Sequence, residues 1–153
     1  WGAGSASEPP NMYEEAIEVP MILGWFGRTP PGYIRRELLS TYDLFPTLCE
    51  LTGVGLPAGR KYPGRSFGRQ LFETVPGKDD DWPDRVYGHY RNVEMVKDRR
   101  YKLVLRDKGQ GPGELYDLRN DPREFVNQYE NSAYLVTRRK LTGEIEAWRK
   151  QYS

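Results

Sequence analysis

The period of apolar and polar positions changes along the chain, and each change marks an element. Glu18-Val19-Pro20-Met21-Ile22-Leu23-Gly24-Trp25-Phe26 is nearly continuous in its apolar part and is bounded by turn residues. That pattern predicts a strand buried on both faces, as in a parallel sheet, with Pro20 at its start because proline cannot donate to a ladder; a strand in a small mixed sheet is the blander alternative. Thr29-Pro30-Pro31 lies in a loop, and Leu38 to Tyr42 is a short apolar link. Asp43 then reads as the N-cap of a helix over Leu44–Thr52, with Pro46 tolerated in the first turn and Gly53 closing the end. Leu44, Phe45, Leu48 and Leu51 fall on one face of that helix. Gly53 to Gly77 reads as ordered loop with one brief apolar piece, Phe67 to Phe72.

From Arg85 the period becomes two. Val86, Gly88 and Tyr90 alternate with Arg85, Tyr87, His89 and Arg91; Val93, Met95 and Lys97 with Glu94, Val96 and Asp98; and Tyr101, Leu103 and Leu105 with Lys102, Val104 and Arg106. Leu115-Tyr116-Asp117 is a fourth short piece, with a tight link at Asp98–Arg100 and a looser one at Gly109–Gly113. These spacings predict an antiparallel meander with one buried face. Asn131-Ser132 caps a closing helix, and Tyr134, Leu141, Ile145 and Trp148 supply the stripe that packs on the sheet.

Composition narrows the function. With 23 Lys plus Arg against 22 Asp plus Glu, the net charge of +1 leaves no basic excess for a nucleic-acid surface. The longest apolar run, near Met21 to Phe26, is far below the roughly 18–20 residues of a membrane span. One Cys and one His exclude a disulfide framework within the chain and a two-histidine metal site. No Gly-x-Ser-x-Gly elbow or phosphate-cradling loop occurs. Asp79-Asp80-Asp81 lacks the closing Glu of a calcium hand, since position twelve is Tyr90, so it reads as a solvated turn. Cys49, inside the apolar helix, reads as a structural thiol. His89 is open between a ligand-facing residue and a cross-strand partner. The first residue is Trp1, and Gly2 to Pro10 is small, polar and proline-bearing; the expectation is a linker or frayed end in a sequence that is not a complete gene product.

Four segments, in order, resemble the carboxy-terminal third of the type I sulfatases of the alkaline-phosphatase-like superfamily. They are Met12-Tyr13-Glu14-Glu15-Ala16-Ile17 with Val19-Pro20-Met21-Ile22; Asp43-Leu44-Phe45-Pro46-Thr47-Leu48 with Leu51-Thr52-Gly53 and Gly64-Arg65-Ser66; Tyr101-Lys102-Leu103; and Glu114-Leu115-Tyr116-Asp117-Leu118 with Asp121-Pro122, Glu124 and Asn127. The resemblance implies an α/β fold (α+β for the chain taken alone): the end of a large mixed sheet, plus a C-terminal four-stranded antiparallel sheet packed by a terminal helix. It implies a division at residues 1–76, the end of the catalytic domain and linker, and 77–153, the small subdomain.

The same resemblance implies sulfuric ester hydrolysis by a complete enzyme that uses formylglycine and calcium. Neither is expected to be held by this chain: Cys49 is followed by Leu51 and Gly53 where the formylglycine motif requires Pro or Ala and Arg. A sulfate-binding Lys that often precedes the Met-Tyr-Glu-Glu segment is replaced by Glu8 or Ala3, depending on alignment, and the Arg before Val-Pro is Glu18. In the resemblance, loops of the small sheet border the mouth of the pocket. This implies a role in substrate selection through His89, Arg91 and Asn92 at the turn between the first two strands, with a cation and donors suited to sugar hydroxyls or a second sulfate. Expected partners are the remainder of the catalytic domain and a sulfated small molecule or glycan, in a periplasmic, secreted or lysosomal setting. The alternative is a non-catalytic glycan- or protein-binding module derived from such a subdomain.

Overall fold

The computed structural model describes residues 11–73 and 82–152; the acidic run Asp79–Asp81 and the positions of Ala3 and Glu8 lie outside them. The chain divides into two compact units, one running from Met21 to Asp84, the other joining residues up to Pro20 with Arg85–Gln151.

In the second of these units the period-two segments become β1 (Val86–Tyr90), β2 (Val93–Lys97), β3 (Tyr101–Arg106) and β4 (Glu114–Asp117), an antiparallel sheet in that order. Val96 pairs with Leu103, and Leu103 with Leu115, so one face gathers Val96, Leu103, Leu105 and Leu115 against Leu141 and Ile145. Those last two belong to α4 (Leu135–Tyr152), which the Asn131 side chain caps by accepting from the Ala133 amide in the turn leading into it. Trp148 stacks on Tyr87 with centroids 5.5 Å apart, and Arg85 reaches Glu144 at 2.7 Å and Asp98 at 2.8 Å. The tight β2–β3 link is held by the Asp98 carboxylate, which accepts from the amides of Arg100 and Tyr101. At the far edge, Asn127 accepts from the Leu115 amide and donates to the Gly113 carbonyl, standing in for a fifth strand.

The sheet differs from the one-face expectation, because its other side is also covered. Met12 and Ile17, the latter on α1 (Glu14–Ile17), pack on Val93, Met95 and Val104. Burial on both faces is what leaves β2 and β3 nearly without exposed positions. It also buries Lys102 completely. Its ammonium donates to the Met12 carbonyl at 2.6 Å and to Glu14 at 3.1 Å, and pairs with Glu124. Glu124 in turn accepts from the Glu14 amide at 2.8 Å, and Lys97 pairs with Glu14. Glu124 holds this place with φ of 59°, a conformation rarely adopted outside glycine.

The Met21–Asp84 unit contains α2 (Leu44–Thr52) and α3 (Gly68–Phe72). Gly53 ends α2 in the left-handed conformation, as its position suggests, and Cys49 is buried. Asp43 does not cap α2. Its carboxylate accepts from the Ser40 amide at 2.7 Å and from the Arg65 amide at 2.8 Å, because a tertiary partner outbids the local one. Thr47 accepts from the Phe67 amide, which draws that ring inside and starts α3 where loop was expected. Gly64 is required here: a Cβ would stand 1.9 Å from the Tyr42 carbonyl oxygen. The expected face of α2 is also corrected, since Pro46, Thr47 and Cys49 turn inward while Phe45 and Leu48 are exposed.

The segment Val19–Leu23 forms no strand. Its residues are exposed, Ile22 to 94%, as is Phe26 beyond it. A strand needs a neighbour to pair with, and the described residues offer none to this one.

Acidification tests the ionic cluster. Burial pushes the Glu14 carboxyl up, but the Lys97 hydrogen bond and the charges of Lys102 and Lys97 outweigh it and hold the group below the ordinary Glu value. The folded pKa lies below the unfolded one, so this contribution is full above the ordinary Glu range and is lost as pH falls through the folded value. Denaturant unfolding followed against pH should show the sheet unit weakening below about pH 4.5, with a flatter profile in Glu14→Gln; identical profiles would refute the coupling.

Candidate functional site

The end of the sheet carrying the β1–β2 turn holds every residue singled out as a selector. Tyr90 pairs with Val93, which leaves Arg91 and Asn92 as a two-residue turn. Such a tight hairpin matches the strand twist only with a left-handed residue inside it, and Arg91 takes that role at φ 57°. His89 lies within β1, opposite Glu94. Glu94 is buried and accepts from Arg149 of α4 at 2.6 Å, while the His89 side chain is exposed and without a hydrogen bond among the described residues. The register therefore sets His89 on the α4 side of the sheet, apart from the turn itself.

Asn92 is engaged. Its side-chain amide donates to Asp107 at 2.8 Å, and its backbone carbonyl accepts from the Asp107 amide at 2.9 Å. These two bonds continue the β2–β3 ladder one step past Val93–Arg106 and bring the β3–β4 loop against the turn. In that loop Asp107, Lys108 and Gly109 have φ of 50°, 57° and 90°, and Arg106 pairs with Glu114 at 2.5 Å. The Arg91 guanidinium lies 5.2 Å from the centroid of the half-exposed Tyr90 ring. An exposed aromatic, two exposed cations at Arg91 and Lys108, and a pinned amide thus share one end of the sheet. Such a surface suits a polar, anionic ligand with an apolar ring face.

That Asp107 meets Asn92 was not foreseeable from local pattern. Only the strand register makes residues fifteen apart neighbours. Among the described residues no three His, Cys, Asp or Glu side chains converge to hold a metal ion. Cys49 is buried in α2, far in sequence from any residue of this surface.

A family model described as N-sulphoglucosamine sulphohydrolase, C-terminal, matches residues 9–151, nearly the whole chain. The chain belongs to this family. It is 26% identical over 171 residues to the ulvan-active sulfatase of Formosa agariphila, covering 88% of this chain and 33% of that protein. It is 35% identical over 141 residues to arylsulfatase G of Rattus norvegicus, covering 79% of this chain and 26% of the relative. A solved structure, described as a complex with its substrate D-glucosamine-2-N,6-O-disulfate, superimposes with a TM-score of 0.60 at 25% identity, over 72% of this chain and 24% of that one. The chain thus spans a quarter to a third of the length of these two relatives. Among the described residues no helix is long and apolar enough to cross a membrane.

The left-handed turn has a measurable cost. Replacing Arg91 by Gly should relieve it and stabilise the chain by about 0.5–1 kcal/mol in denaturant unfolding. Destabilisation would show that the Arg91 side chain, stacked on Tyr90, outweighs the backbone.

Proposed function

We propose that this chain is the C-terminal part of a sulfuric ester hydrolase and is inactive alone. It supplies the small subdomain and a substrate-selecting surface, with residues 1–76 ending the catalytic domain and 77–153 forming the subdomain. The observation that carries this reading is the apolar surface left bare in the Met21–Asp84 unit. Ile22, Phe26, Phe45 and Leu48 are each at least 45% exposed, and Phe26 fully. Large side chains bare along a run built like an interior strand support cover by polypeptide outside this chain, the remainder of the catalytic domain. The family match and the chain's share of its relatives' length support the same reading.

In this reading the formylglycine nucleophile and the calcium ion belong to the complete enzyme, because the described residues contain neither the motif nor a ligand cluster. When bound, calcium would screen the charge of the sulfate under attack. The chain's own residues bind and orient the rest of the molecule. Arg91 offers a charged fork to a sulfate or carboxylate, and His89 and Asn92 offer hydrogen-bond donors to sugar hydroxyls. The substrate class is a sulfated sugar or glycan, and the setting is periplasmic, secreted or lysosomal.

The isolated chain should release no sulfate from an aryl sulfate, with or without calcium; turnover would contradict the proposal. In the complete enzyme, Arg91→Ala should raise KM with kcat retained, and unchanged kinetics on the native substrate would remove Arg91 from the selecting surface.

A further inference from the structure

Adjacent basic residues occur at Arg35-Arg36, Arg60-Lys61, Arg99-Arg100, Arg138-Arg139-Lys140 and Arg149-Lys150. A protease that reads such a run needs the chain drawn out in its cleft, so burial and backbone hydrogen bonds decide which run it can reach. All but one are held. The Arg35 guanidinium donates to the Gln70 and Glu73 carbonyls at 2.5 and 2.8 Å and closes the end of α3. Arg99-Arg100 forms the β2–β3 turn, where Asp98 accepts from the Arg100 amide at 2.7 Å and the Arg100 carbonyl accepts from the Leu118 amide at 2.7 Å. Arg138-Arg139-Lys140 and Arg149-Lys150 lie inside α4.

Arg60-Lys61 differs. Every residue from Thr52 to Lys61 is exposed. Among the described residues no backbone group from Val54 to Gly64 pairs with another backbone group, and the hydrogen bond within the stretch runs from the Tyr62 hydroxyl to the Pro57 carbonyl at 3.2 Å. A Cβ built on Gly55 or Gly59 would meet nothing within 4 Å, so the backbone itself stands clear of the rest of its unit. Neither Arg60 nor Lys61 has an ion pair among the described residues.

Both ends of this loop are anchored. Before it, α2 closes at Gly53, whose amide donates to the Glu50 carbonyl at 3.2 Å. After it, the Tyr62 ring packs on Phe45 with centroids 5.5 Å apart, the Arg65 amide donates to Asp43 at 2.8 Å, and the Phe67 amide donates to Thr47 at 3.0 Å. The Phe67 side chain is 2% exposed. These contacts tie the chain before the loop to the chain after it without passing through the loop.

We propose that Arg60-Lys61 is a proteolytic processing site, read by a serine protease with an acidic primary pocket, and that the cut protein stays together as one assembly of two chains. The protease serine attacks the Lys61 carbonyl carbon, the bond to the Tyr62 nitrogen breaks, and that nitrogen takes a proton and leaves as a free amine. Water then releases the Lys61 carboxylate and restores the serine. The cut opens the loop and leaves the bonds of Asp43 and Thr47 to the downstream chain in place. The inference stands apart from the substrate-selecting reading, since no residue is shared.

Trypsin at limiting dose, added to the folded 153-residue chain and followed by intact mass, tests this. The first cut should fall after Arg60 or Lys61, and the two products should elute together in gel filtration and part only in denaturant. Arg60→Gln combined with Lys61→Gln, both at exposed positions, should slow that first cut by more than about tenfold, because the acidic pocket loses its cation. A faster cut at any other basic residue would overturn the site, as would an unchanged rate in the double variant. Products that separate in native buffer would overturn the two-chain assembly.

Discussion

A lysine ammonium with no exposed surface dictates how this subdomain is built. Removing such an ion from water costs several kcal/mol even after relaxation, and only well-placed counter-charges and acceptors offset it. Lys102 obtains them from Glu14, Glu124 and the Met12 carbonyl, which lie 88, 22 and 90 residues away in the chain. The requirement is mutual, since Glu14 and Glu124 are themselves withdrawn from water. Three distant segments therefore have to meet at one point of the sheet, and the strained backbone of Glu124 is tolerated because the cluster needs its carboxylate there.

This constraint explains which residues carry the family likeness. Met12, Glu14, Lys102 and Glu124 form the cluster itself. Asp117 holds Arg100 at 3.2 Å and closes the turn after β4, and Asn127 seals the sheet edge. Gly64 is fixed sterically, because the Tyr42 carbonyl leaves no room for a Cβ. These are positions of scaffold, and a likeness built on them identifies the family firmly while leaving the exposed loops, where selectivity is usually carried, free to vary.

Much of the fold was legible along the chain because its signals are local. The alternation of Val93 to Leu105, the stripe Leu141-Ile145-Trp148 and the glycine closing α2 each depend on neighbours a few residues away. What was not legible is long-range. Nothing near Met12 announces that it covers a sheet some eighty residues on, so the second buried face went unseen. Asp43 has the right place for a helix cap but is claimed by Ser40 and Arg65. Val19–Leu23 has the composition of an interior strand and lies exposed, since composition records the environment a segment suits and not the neighbours present. Of the candidate surface, Arg91 and Asn92 were visible as a turn, whereas Asp107 meets Asn92 only through strand register.

The central claim is that Lys102 binds the Met12–Ile17 segment to the sheet. Amide hydrogen exchange of Lys102→Met, compared with the parent chain and with Lys102→Met combined with Glu14→Gln and Glu124→Gln, measures this directly. Leaving the buried Glu124 without its cation, and Glu14 with Lys97 alone, should lower the protection of Ala16 and Ile17 and destabilise the sheet unit by about 3–5 kcal/mol, with the combined variant recovering most of the loss. Unchanged protection in the single variant, with stability within about 0.5 kcal/mol of the parent, would contradict the account.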